Sequence, residues 1–103
     1  MTGITIDTTA YIQSNGTLQV TGTLQDVNGN TDTLVLSVTQ GLLTTGVGTK
    51  SEPTSGSPQG WSDNLAATLG SWTFGSAVAV AILLNVNGAQ IGYATQELAV
   101  SIP

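Results

Sequence analysis

Between Thr17 and Gln25 the chain alternates with a period of two. Leu18, Val20 and Leu24 share one parity, and Thr17, Gln19, Thr21, Thr23 and Gln25 share the other. Only an extended strand puts successive side chains on opposite faces, so this segment is expected to turn one face to a core and the other to water. Gly22 interrupts the apolar parity and leaves room for a bulky neighbour against the backbone. Thr31 to Gln40 repeats the pattern, with Leu34, Leu36 and Val38 opposed to Thr33, Ser37 and Thr39. The intervening Asp26-Val27-Asn28-Gly29-Asn30 is a turn by composition.

The same reading extends along the chain. Gly41 to Gly60 is rich in Gly, Ser, Thr and Pro and reads as a long flexible loop, with room for a short edge strand in its first half. Trp61 to Leu69 alternates again. Trp72, Phe74, Val78, Val80, Ile82 and Leu84 then keep one parity, which places them in the core and leaves Ala77, Ala79 and Ala81 on the other face. Asn87-Gly88 predicts a two-residue type I′ hairpin that pairs Val86 with Ala89, Leu84 with Ile91 and Ile82 with Tyr93. Beyond it the apolar parity changes to Leu98, Val100 and Ile102, which implies a β-bulge between Ala94 and Glu97. Ile4, Ile6 and Tyr11 suggest a split, kinked first strand. The expected core is Leu18, Val20, Leu34, Leu36, Trp72, Val80, Ile82, Leu84 and Val100.

These segments predict one all-β domain over residues 1–103, a single antiparallel two-sheet sandwich of about seven strands with no helix. At 103 residues the chain is long enough for one two-layer core. Charged residues are only 7% of it, so solubility rests on Thr, Ser, Asn and Gln.

Asp7, Asp26, Asp32, Glu52, Asp63 and Glu97 stand against the lone Lys50, and the net charge is −5. Without a basic surface, binding to nucleic acid or to an anionic membrane is not expected. Met1 to Asp7 has neither the basic nor the apolar region of a signal peptide. The longest apolar run, Ala77 to Leu84, is far short of the roughly 20 residues that span a bilayer.

This order of segments (a split first strand, a hairpin-connected pair, a long crossing connection and a final hairpin) resembles the immunoglobulin-like superfamily, taken broadly to include fibronectin type III and bacterial or phage Ig-like modules. The chain departs from it in having no Cys pair, no Trp within Thr31 to Gln40 and no Tyr opening the strand at Ala77. Trp72 and Phe74 would then fill the core. Thr- and Gly-rich modules of this kind look like those that decorate tailed-phage virions or form stalks of bacterial surface proteins. The resemblance implies a structural or interaction module that binds protein partners or copies of itself, with a virion favoured over a cell surface.

The chemistry available is sparse. There is no His and no Cys, so the usual nucleophile–base machinery and zinc sites cannot be built. Lys50 and Ser51 are the only residues for a Ser–Lys pair, and they fall in the Gly/Pro-rich segment. Neither an enzyme nor a cofactor is expected. Asp26, Asn28, Asn30 and Asp32 offer oxygens with the spacing of a calcium loop, although Gly29 stands at its fourth position and Ser37 where a Glu would close it. An ordinary Asx- and Gly-rich turn has the same composition. Trp61, beside the Gly-rich segment, is the candidate for stacking on a sugar and would serve an alternative carbohydrate-binding role; core packing is its other reading. Asn15-Gly16-Thr17 is a glycosylation sequon at a turn.

Overall fold

The computed structural model describes residues 2–102, so Met1 and Pro103 of the expected domain lie outside it. The fold is all-β, with eight strands: β1 (Gly3–Ile6), β2 (Thr9–Ile12), β3 (Leu18–Gln25), β4 (Thr31–Gln40), β5 (Thr44–Pro53), β6 (Gln59–Leu65), β7 (Gly75–Leu84) and β8 (Gln90–Ser101). The hydrogen-bonded order is β1-β3-β2-β8-β7-β4-β5, and β6 also pairs with β3. Every pairing is antiparallel except β2 with β8, where Thr9, Ala10 and Tyr11 run parallel to Ala99, Val100 and Ser101.

The first strand is split, as its pattern suggests. β1 pairs with the second half of β3, from Gly3 opposite Gln25 to Ile6 opposite Gly22. The chain then breaks at Asp7-Thr8, where the Asp7 N–H donates to the Thr21 carbonyl and the Thr8 carbonyl accepts from Ala99. β2 therefore bonds both to β3, through Tyr11 and Ile12, and to β8.

Parity decides burial in β3 and β4. Leu18, Val20, Leu24, Leu34, Leu36 and Val38 are at most 2% exposed. Trp61 lies opposite Gly22, and a Cβ on that glycine would lie 2.8 Å from the indole ring. The gap in the apolar stripe of β3 is therefore filled from β6.

Three expectations are corrected. Residues 41–60 do not form one long loop, because β5 occupies Thr44–Pro53 and pairs with β4 along its whole length. Its core-facing positions include Gly46 and Gly48, and the space they leave is taken by Trp72 and by Leu65 with Asp63. The apolar side chains that mark a strand thus come from neighbouring segments.

The phase of β7 is reversed. Ala77, Ala79, Ala81 and Leu83 are the buried residues, at most 3% exposed. Val80, Ile82 and Leu84 are half-buried, Val78 is exposed, and Phe74 precedes the strand in an exposed position. Short side chains suit the inner face because β1 packs across β7 without pairing to it.

The hairpin differs too. The Asn85 carbonyl accepts from Gly88 N–H, and Gly88 alone in that loop has a positive φ, so the turn is a three-residue loop closed by a left-handed glycine rather than type I′. Ile82 does pair with Tyr93, but Leu84 pairs with Gln90, and the register shift lies there rather than at Ala94 to Glu97. The change of apolar parity in β8 arises because Tyr93 points outward and is exposed.

Candidate functional site

Two regions stand out. The first is the outer face of β8-β7-β4-β5. Pairing places Thr49, Val35, Ile82 and Tyr93 in one row across four strands, and Val47, Ser37, Val80 and Thr95 in the next. Leu84 with Thr33 and Ser51 flanks one side, and Val78 with Thr39, Thr45 and Glu97 flanks the other. Val47, Val78 and Tyr93 are exposed by 64%, 48% and 57%, while Val80, Ile82 and Leu84 of β7 are half-buried, so the row is only partly covered by the chain itself. Among the described residues Glu97 is the only charged side chain on this face. Contiguous apolar surface of this kind marks interaction sites in soluble proteins.

The second region is the corner where β3 ends, β4 begins and β5 ends. Asp26 and Asp32 are each 1% exposed, and the Asp26 carboxyl is a near neighbour of Asp32. Asp26 Oδ1 accepts the Asn28 N–H at 3.0 Å, forming an Asx turn. Asp26 Oδ2 and both carboxylate oxygens of Asp32 are buried without a donor. Burial, followed by the neighbouring Asp26 carboxyl, raises the pKa of Asp32 from 3.8 to about 6. Glu52 stands directly opposite Asp32 on β5 and is 6% exposed.

Lys50 does not reach the aspartate pair to neutralise it. Its Nζ donates to the Ser62 carbonyl of β6 at 2.7 Å and lies 3.8 Å from Glu52 Oε1. Lys50 and Ser51 are consecutive on β5 and so point to opposite faces. The charges are thus gathered on one part of the fold: Asp26 in the turn after β3, with Asp32, Lys50, Glu52 and Asp63 on β4, β5 and β6, make five of the seven charged residues.

Of the calcium-loop candidates, Asp26 and Asp32 converge in the interior, while Asn28 and Asn30 stay exposed at its rim. A shallow cleft there is lined by Thr2, Asp26, Asn28, Asn30, Asn85 and Ile91. Among the described residues, no three of Asp, Glu, His and Cys are grouped to hold a metal. Asn85 and Glu52 are additions that the turn composition does not reveal. Asp32, however, shares the parity of Leu34, Leu36 and Val38, and that parity alone marks it as inward.

Trp61, the sugar-stacking candidate, is 4% exposed. Its ring covers Gly22 and its indole N–H donates to the Thr5 carbonyl at 3.0 Å, so it packs in the core and offers no open ring face. Asn15 lies in an exposed turn, where its Oδ1 accepts from the Thr17 N–H and hydroxyl. No helix among the described residues is long and apolar enough to cross a membrane. No family model and no curated protein sequence matches the chain.

Proposed function

We propose that the chain is a non-enzymatic structural module with an immunoglobulin-like two-sheet sandwich fold, and that it assembles with copies of itself through the outer face of β8-β7-β4-β5. In this reading β1, β3 and β6 form one layer and β2, β8, β7, β4 and β5 the other, with β2 linking them through its bonds to both β3 and β8. Support for the layering comes from β6, which pairs only with β3, and from β1, which packs on β7 and β8 while pairing with neither. A virion-decorating or cell-surface assembly suits such a module, and the virion is preferred.

The observation that carries the proposal is the partly exposed row Val78, Val80, Ile82 and Leu84, with Val47 and Tyr93 exposed beside it, on a face with one charge. Apolar burial with only one charged side chain per copy on the face favours self-contact. Light scattering over a concentration series, with Ile82→Lys as the comparison, tests it. The expected result is a mass that rises with concentration in the parent chain and stays monomeric in Ile82→Lys. A parent chain that remains monomeric at high concentration overturns the reading.

A further inference from the structure

We propose that Asp26 and Asp32 form a binding site for a divalent cation of the calcium class, entered from the cleft between Asn28, Asn30 and Asn85. The two carboxylates, Asp26 just after β3 and Asp32 at the start of β4, are each 1% exposed, and a buried carboxylate calls for a counter-charge or a full set of donors. Three of their four oxygens have no donor, and only Asp26 Oδ1 is engaged, by the Asn28 N–H. Satisfied buried polar groups are the rule, so these three oxygens have coordination to give. A bound cation would supply the counter-charge and take up these oxygens.

The donor set selects the ion. The surrounding groups are carboxylate and amide oxygens, with Asn28, Asn30 and Asn85 lining the mouth. There is neither His nor Cys anywhere in the chain, which disfavours zinc and suits a hard cation that tolerates irregular coordination. Glu52, opposite Asp32, is turned toward Lys50 at 3.8 Å and does not complete a third carboxylate ligand. With two carboxylates and neutral oxygens, the affinity belongs to the weak range of about 10⁻⁴ to 10⁻³ M.

The test is thermal unfolding of the whole chain at pH 7.5 in 10 mM calcium chloride, against sodium chloride of equal ionic strength. Binding in that range is expected to raise Tm by roughly 5–10 °C. Asp32→Asn should abolish the calcium-dependent rise, and Asp26→Asn should reduce or abolish it. Asp7→Asn, at the exposed break between β1 and β2 and away from the corner, should leave it intact. Calorimetric titration of the parent chain with calcium keeps the site measurable if a variant fails to fold. A parent chain that shows no rise beyond that in sodium chloride, or a rise that survives Asp32→Asn, overturns the proposal.

Discussion

The indole of Trp61 occupies the volume that a side chain at position 22 would fill. The two residues face each other across β3 and β6, and the Trp61 N–H reaches past Gly22 to the Thr5 carbonyl of β1. A Cβ at position 22 would meet that same carbonyl as well as the ring, so one glycine lets a single tryptophan join three strands. Gly22→Val is therefore expected to destabilise the fold by at least about 1–3 kcal/mol, the usual range for overpacking, because backbone as well as ring must shift. A urea unfolding midpoint close to that of the parent chain would show that the contact is not tight.

The reversed phase of β7 makes neighbouring positions respond oppositely. Ala81 is 0% exposed, whereas Val80 is only half-buried. Ala81→Leu should cost about 1–3 kcal/mol through overpacking, while Val80→Thr should stay within about 1 kcal/mol. The comparison is made by thermal melting of both variants. If Val80→Thr proves the more damaging, the inner and outer faces have been exchanged.

Leu36 is 0% exposed at the middle of β4, with β5 on one side and β7 on the other. Leu36→Ala should cost about 2–5 kcal/mol, the range for a buried leucine that leaves a cavity. Chemical denaturation with an unchanged slope would attribute the loss to packing rather than to a changed unfolded state.

Asp32 sets a pH dependence with a definite sign. Its pKa rises on folding from 3.8 to about 6, so the protonated form is favoured in the folded chain. That contribution is fully present below about pH 3.8 and is lost as pH rises through about 6. The groups around it are Asp26 at the end of β3 and, on β5, Glu52 with Lys50 beyond it. In metal-free buffer, stability attributable to Asp32 should fall between pH 4 and pH 7 by on the order of 2 kcal/mol. Asp32→Asn should flatten the profile, which melting curves at constant ionic strength would reveal. A parent chain whose stability holds or rises over this interval would contradict the pairing.

How much of this was readable beforehand depends on how each segment encodes its neighbours. β3 and β4 carry their own alternation, so their core residues and the opening at Gly22 are legible in the sequence; Trp72 is buried as expected, but not through the parity it shares with Val78 to Leu84, which turns outward. β5 is not, since its inner face includes Gly46 and Gly48 and the filling side chains, Trp72, Leu65 and Asp63, come from distant segments. In β7 both parities are apolar. The larger residues look like core, yet the crossing of β1 requires the smaller ones inside, and only tertiary packing reveals that. At the corner, the turn's composition suggested oxygen ligands, but the burial of Asp26 depends on how the chain leaves β3.

The parallel pairing of β2 with β8 bears on how the molecule carries load. These strands lie near opposite ends of the sequence and run in the same direction, with Thr9 beside Ala99 and Tyr11 beside Ser101. Tension applied between the two ends of the chain would draw them in opposite senses along a shared axis. Their bonds would then be strained together in shear, not opened one after another as in a hairpin peeled from its tip. A chain joined at both ends to a larger particle would thus resist extension at the short stretch where β2 and β8 meet.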